Sequence, residues 1–313
     1  MLRLDDRIFS DAGEHAALLA GWDQQYFQLD SGCFRSTLQQ INTDDIHLFH
    51  ESVNRRIVQR GSTPRDTVAF GIVLDAQEPV TFSGQSVQKD SVIFGRSNCD
   101  FFMHFPSGAE LLGIAISQSQ LDGNPRLAER VRTLTTTHAA TLPVASDTRQ
   151  HILGFWHRFV DEARAWIELA DPALAERCVS TQLVELLDLM LDGARDDRDA
   201  DITWMSHSDI VARVHRMLVE HPQEPVTVQQ ISEALRISRR TVQNSFRLVT
   251  NKSPIEYMRA VRLNFVRQML RTSHPSELTV RDAAQHWGFF HSGHFTQDYR
   301  KLFDAAPSDN RPH

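Results

Sequence analysis

Apolar positions in the first third of the chain come in short runs. Residues 26–29, 46–49, 68–74, 91–94 and 111–116 are such runs, separated by turn clusters at Ser31-Gly32, 61–64, Glu78-Pro79, Gly84 and Pro106-Ser107-Gly108. Runs this short and this often interrupted predict strands from residue 22 to about residue 118. Many short strands at close spacing point to a small β-barrel or a sandwich. A barrel of this size holds one small ligand or is filled by its own side chains.

The period then changes. Ile152, Phe155, Trp156, Phe159, Ala163, Trp166 and Ile167 recur every three or four residues, which predicts an amphipathic helix with an aromatic stripe. Asp171-Pro172 starts the next helix, with Asp as cap and Pro in the first turn. Along it Val179, Leu183, Leu186 and Met190 follow at spacings of four, three and four, and Val184, Leu187 and Leu191 widen the stripe. Part of this face is expected to form a homodimer seam; packing against the barrel is the competing reading. Residues 192–204 carry many charges and no apolar period, the mark of a linker.

Helical patterning resumes with Ile210, Val211, Val214, Met217 and Leu218 and stops before His221-Pro222. Thr227, with Gln230 three residues on, is a capping-box signal, and Val228, Ile231, Ala234 and Leu235 fall on one side of the helix it opens. Ser238 caps a second helix in which Val242, Phe246 and Val249 line one face. Two short helices joined by a tight corner form a helix-turn-helix. A longer helix follows from Pro254 to Arg271. The pattern then repeats: Thr279 with Asp282, Ala283-Ala284, Trp287-Gly288-Phe289, Phe295 and Tyr299 echo the first unit at offsets of 52 and 53 residues. Eighteen helical residues span about 27 Å, and successive major-groove faces lie about 34 Å apart, so the long helix can set two reading helices into adjacent grooves.

Charge agrees with this division. The 313-residue chain has a formal charge of −7, yet residues 205–313 hold 15 Lys+Arg against 10 Asp+Glu, leaving 18 against 30 in residues 1–204. A basic segment behind an acidic one suggests that the C-terminal part meets a polyanion. Composition, 41% hydrophobic, is that of folded protein, and the length suits two domains. No apolar run approaches the eighteen or so residues of a membrane span, and the acidic start lacks the order of a secretion signal, so a cytoplasmic protein with no membrane partner is expected. Cys33, Cys99 and Cys178 are too few and too scattered for a disulfide framework or a zinc ribbon. His47, His50, Glu51 and His104 are the candidates for a metal set inside the barrel. His47 and His50 should face opposite sides of a strand and no His-x-His pair is present, so neither a metal nor any other cofactor is expected, and no catalytic residue is assigned.

The C-terminal hundred residues resemble the AraC/XylS transcription regulators. The resemblance is carried by Ile237-Ser238-Arg239-Arg240-Thr241-Val242 with Phe246, Ser253-Pro254 with Glu256-Tyr257, Arg262-Leu263, the Ala283-Ala284, Trp287-Gly288-Phe289 corner, Phe295 with Tyr299-Arg300-Lys301 and Phe303, and Pro307-Ser308. The form of residues 287–303 looks most like the branch containing the ethanolamine-operon regulator. Arg236, Asn251 and Asp304 stand where that family usually has Gly, at helix ends that ask for a left-handed backbone, and Ser232 and Val266 replace Ala.

The resemblance implies an α+β protein: an N-terminal, cupin-like small β-barrel for regulation (1–145), a helical dimerisation segment (146–192), a linker (193–204) and an all-α DNA-binding domain with two helix-turn-helix units (205–313). Expected contacts to double-stranded promoter or operator DNA are Arg239, Arg240, Gln243, Asn244 and Arg247 from the first unit and Ser292, His294, Thr296 and Gln297 from the second, with Arg300 and Lys301 on phosphates. A homodimer, a small-molecule effector and, for an activator, RNA polymerase are the other expected partners. Two rival readings are a regulator without effector, whose barrel serves dimerisation or protein contact, and an enzyme with a DNA-binding tail, disfavoured by the lack of a reactive-cysteine motif.

Overall fold

The computed structural model describes residues 2–19, 21–135, 141–167, 171–192, 194, 202–221 and 226–310. Its strands are β1 (Arg3–Phe9), β2 (Asp23–Gln28), β3 (Ser36–Asn42), β4 (Ile46–Val53), β5 (Ile57–Ser62), β6 (Thr67–Asp75), β7 (Val80–Phe82), β8 (Gln85–Val87), β9 (Ser91–Gly95), β10 (Asp100–Phe105), β11 (Glu110–Ser117) and β12 (Thr141–Pro143). They form two sheets, ordered β1-β3-β4-β11-β6-β9-β12 and β2-β5-β10-β7-β8. Every pairing among the described residues is antiparallel.

The closed, cupin-like barrel expected from the sequence is corrected here to an open sandwich, because both ends of the sheets are kept from closing. At one end helix α1 (Ala12–Leu18) packs beside the edge strand β2 and also touches β1, where a closing ladder would run. At the other, the Gln85 side chain of β8 accepts hydrogen bonds from Thr141 N and Oγ1 of β12, at 3.0 and 3.1 Å, in place of backbone pairing. β1 also lies before residue 22, outside the stretch expected to be β.

The structure stacks in four layers. Helices α2 (Gln118–Asp122), α3 (Pro125–Thr135), α4 (Thr148–Ile167) and α5 (Pro172–Met190) cover the outer face of the seven-stranded sheet. The inner faces of the two sheets meet in a second core, around Leu38, Phe49, Ile57, Met103 and Phe105. The outer face of the five-stranded sheet, through Phe27, Leu29, Val58 and Phe102, joins the core of the C-terminal helices. Central strands are thus buried on both faces, which is why β6 and β11 read as continuous apolar runs and not as alternations.

Asp171 caps α5 as its sequence suggests, accepting from Ala173 N and Leu174 N. Val179, Leu183, Leu186 and Met190, however, are fully buried within the protomer against α4 and the seven-stranded sheet. They are intramolecular core and cannot be the dimer seam that their spacing suggested. Of the stretch read as a linker, 193 and 195–201 lie outside the described residues, and 202–204 already belong to α6 (Ile202–Glu220).

Buried histidines add a pH term. Burial pushes His15 and His104 down to about 3 and His47 to about 4, from an ordinary 6.5, while it pushes Glu51 up to about 7 from 4.5. The histidines contribute stability that is full above about pH 6.5 and is lost as pH falls, because only the unfolded chain takes up their protons. Glu51 acts in the opposite sense, stabilising as pH falls from about 7 towards 4.5.

Leu186→Ala should lower unfolding free energy by about 2–5 kcal/mol in denaturant titrations, the cost of a core cavity. Acidification from about pH 7 to pH 5 should lower the melting temperature, and Glu51→Gln should steepen that fall by removing the opposing term, as scanning calorimetry across that range would show.

Candidate nucleic-acid interface

Helices α7 (Val228–Leu235) and α8 (Arg239–Thr250) form the first C-terminal unit. Gln230 N donates to Thr227 Oγ1 at 3.2 Å and Thr227 N donates back to Gln230 Oε1 at 2.8 Å, closing the capping box. Arg236 makes the corner at φ 52°, the left-handed position where Gly is usual, at a cost of roughly 1–2 kcal/mol. Ser238 then caps α8 by accepting from Thr241 N at 3.0 Å. Ile231, Val242 and Phe246 are fully buried, which fixes the opposite face of α8 outward.

Helices α9 (Pro254–Thr272), α10 (Val280–His286) and α11 (Ser292–Phe303) complete the domain. Thr279 and Asp282 repeat the capping box, and α8 and α11 are both 12 residues long. Gly288, at φ 79°, turns the second corner. Asn251 and Asp304 end α8 and α11 at φ 54°, a conformation that Asn and Asp tolerate.

The reading faces are open. Arg240, Gln243, Asn244 and Arg247 are exposed on α8; Ser292, His294, Gln297, Arg300 and Lys301 are exposed on α11. Arg239 is also exposed, but its guanidinium donates to Gln229 Oε1 at 2.7 Å and so braces the corner between α7 and α8. Thr296 is half-buried and donates to Ser292 O at 2.9 Å, so its hydroxyl is engaged within its own helix. The first set offers Arg, Gln and Asn, whose paired donors and acceptors match guanine and adenine edges. Arg300 and Lys301 sit in the last turn of α11, where they also complement the helix dipole.

Helix α9, about 28 Å long, belongs to both units. Tyr257 packs edge-on against Phe246 of α8, 5.0 Å between centroids, and its hydroxyl lies 2.8 Å from His215 Nδ1. A little over two turns later Phe265 stacks flat on Trp287 of the second unit at 4.2 Å, and Trp287 Nε1 donates to Met269 Sδ at 2.9 Å.

A third side of α9 docks on the sandwich, a contact with no signal in the sequence. Asn264 Nδ2 donates to Gln28 O and Asn264 Oδ1 accepts from Gln28 N, both at 2.9 Å. Its amide thus pairs with edge strand β2 as a further strand would. Phe27 packs on His215 at 4.8 Å and on Phe265 at 5.0 Å. Burial there pushes His215 down to about 3. Arg267 Nε lies 2.5 Å from Asp11, and Arg271 pairs with Glu14.

The loop after β2 reaches the ends of both reading helices. Asp30 lies 2.6 Å from Lys252, just past α8. Gln28 Nε2 and Gly32 N donate to Leu302 O of α11 at 2.9 and 3.0 Å, and Cys33 Sγ donates to Asp304 at 3.1 Å. The acidic N-terminal part therefore grips Lys252, Arg267 and Arg271, three of the cations that the charge balance had set aside for a polyanion.

The four residues that could suggest a metal do not converge: His47 and Glu51 share the inner face of β4 but bond to different partners, while His50 and His104 face away from them. His47 Nε2 is 3.0 Å from Gln40 Oε1, His50 packs on Trp156 of α4, Glu51 sits between the sheets, and His104 is 3.4 Å from Arg56. Among the described residues no group of three or more His, Cys, Asp or Glu is placed to hold a metal, and no helix is long and apolar enough to cross a membrane.

Residues 231–312 match a family described as a helix-turn-helix domain. The chain is 31% identical to regulatory protein SoxS of Salmonella typhimurium over 107 residues, 34% of this chain and 97% of that protein. It is 31% identical over 93 residues to a probable thc operon regulatory protein of Rhodococcus erythropolis, covering 30% of this chain and 28% of that one. Among solved structures it is similar to a probable AraC family transcriptional regulator from Rhodopseudomonas palustris, with 28% identity, a TM-score of 0.30, and coverage of 33% of this chain and 99% of that one. The chain thus spans only a small part of the longer relatives, all of it within the C-terminal helices for the family match.

Asn264→Ala should leave the Gln28 N–H and C=O without partners, cost about 1–3 kcal/mol, and speed hydrogen exchange along β2 and α9 while sparing β6 and β11; mass spectrometry of the exchanged peptides would show it.

Proposed function

The chain belongs to the AraC/XylS family of transcription regulators, and on that premise we propose that it reads a promoter or operator sequence with both helix-turn-helix units, in successive major grooves, under control of its N-terminal sandwich. The observation that carries this reading is the pair of equal helices, α8 and α11, with exposed polar faces at the two ends of one continuous helix. Three of the five expected contacts on α8 are Arg, while those of α11 before Arg300 are short and uncharged. The first unit should therefore supply most base discrimination, and Arg300 and Lys301 mainly hold the backbone.

Control would pass through β2. Its Gln24 and Tyr26 side chains line a cavity between the sheets, while Phe27, next in line, packs on α9 and α6. A small molecule that moves this strand moves the base on which both reading helices rest. The docked contacts leave the reading faces uncovered, so the coupling sets the angle between the units and does not mask them. A homodimer remains part of the reading. With Leu186 and its neighbours buried, its seam would use the outer faces of the helical layer, where Leu174 is exposed. RNA polymerase is a partner if the protein activates.

Gln243→Ala should cost about 1–3 kcal/mol at one base step, whereas Arg300→Ala should weaken specific and random DNA alike and reduce the salt slope by about one. Fluorescence anisotropy with operator and scrambled duplexes at several salt concentrations checks both; equal losses on both duplexes for the two variants would contradict the assignment.

A further inference from the structure

The interior of the sandwich holds a carboxylate whose surroundings lack a cation. Glu51 is buried on β4, facing the other sheet. Tyr26 Oη donates to its Oε2 at 2.8 Å, and Gln59 Nε2 to its Oε1 at 3.1 Å. His15 Nε2 lies 3.5 Å away, on a ring that burial keeps neutral. A buried carboxylate is ordinarily matched by a positive charge. Here the partners are neutral donors, and burial holds the carboxyl up to about 7. Each oxygen still has lone-pair capacity for a further donor.

Glu51 opens onto empty space. A cavity of about 50 Å³ lies between the sheets, and no Lys or Arg lines it. Its walls are aromatic: Trp22, Phe49, Phe82 and Phe101 surround it, with Trp22 edge-on to Phe49 at 5.6 Å and to Phe101 at 5.9 Å. Gly71, Gly95 and Gly113 keep it open, since they add no side chain to its lining. At Gly113 a Cβ would come within 2.2 Å of the Phe49 ring, so that ring owes its place against the cavity to the missing side chain. Trp22 Nε1 is buried with no hydrogen-bonding partner.

These features select a ligand by chemistry. An anion would meet Glu51 and find no counter-charge. A polyol would lose its hydration against walls that are almost wholly hydrocarbon. An ammonium group supplies the missing cation to the carboxylate, and aromatic faces attract both a cation and a flat apolar body. We propose that the cavity between the sheets binds a small amine carrying an aromatic or similarly apolar body, its ammonium paired with Glu51 and its body held among Trp22, Phe49 and Phe101. This rests on the reading of the sandwich as an effector sensor and names the class of effector. Tyr26 touches Glu51 directly and precedes Phe27 on β2, so the ammonium binds at the strand that supports the DNA-reading helices.

The test is calorimetric titration of the full chain with three probes of matched shape: benzylamine, benzyl alcohol and benzoate. Benzylamine should bind at least tenfold tighter than either of the others. Glu51→Gln should reduce its affinity at least tenfold while leaving the alcohol's unchanged. Gly71→Ala, where the new methyl meets only ordinary contacts of 3.4 Å and beyond, should weaken benzylamine without loss of folding, which circular dichroism would verify. Tighter binding of benzoate or benzyl alcohol, or a Glu51→Gln protein that keeps its benzylamine affinity, overturns the amine assignment and leaves the sensor reading standing. Failure of all three probes to bind overturns the amine assignment, and operator binding measured alongside shows that the DNA-reading function stands apart from that result.

Discussion

Helix α9 has three packed sides, and the arrangement of the whole chain depends on that. One side carries Tyr257 into the core of the first reading unit, a second stacks Phe265 on Trp287 of the other, and a third offers Asn264 to edge strand β2. A rigid helix with three committed faces has little freedom to tilt without breaking one of the contacts. The angle between α8 and α11 is therefore tied to the position of β2. The edge strand is otherwise an open row of donors and acceptors, and an amide that satisfies both groups of Gln28 closes it at that point.

Electrostatics has two uses in this chain. The basic surplus of the C-terminal helices and the acidic surplus of the rest attract each other as well as DNA, and Asp11, Glu14 and Asp30 take three of the cations. Those pairs grip α9 and the end of α8, whereas Arg240 and Arg247 stay exposed and uncommitted to the sandwich. Ion pairs that are partly exposed weaken with salt, so ionic strength acts on the docking of the domains as well as on their hold on phosphates.

The sandwich joins these two themes. It is left open, with α1 beside the edge strand, and α1 itself starts at Asp11, the residue that holds Arg267. The same β2 strand has its Tyr26 side chain in the interior and Phe27 on the outside. Alternation along a strand puts neighbours on opposite faces, so a single strand is wall to a cavity and seat for a reading domain.

Local signals settled a good deal from the sequence alone. The capping boxes at Thr227 and Thr279, the cap at Asp171, the apolar faces of α8 and α11 and the repeat at 52 to 53 residues all depend on residues within a few positions of each other, so spacing suffices to find them. The left-handed corner at Arg236 was legible only through the family resemblance, in which that position is usually Gly. What spacing cannot show is the partner of a buried face. The stripe of Val179, Leu183, Leu186 and Met190 satisfies a dimer and a sheet equally well, and only the presence of the seven-stranded sheet decided between them. Whether the strands closed on themselves turned on α1 and on Gln85, neither of which leaves a periodic trace. The pairing of Gln28 with Asn264, 236 residues apart, and the placement of Glu51 opposite Tyr26 come from the three-dimensional chain path, because polar groups so distant in sequence meet only after the apolar layers have fixed where each strand and helix lies.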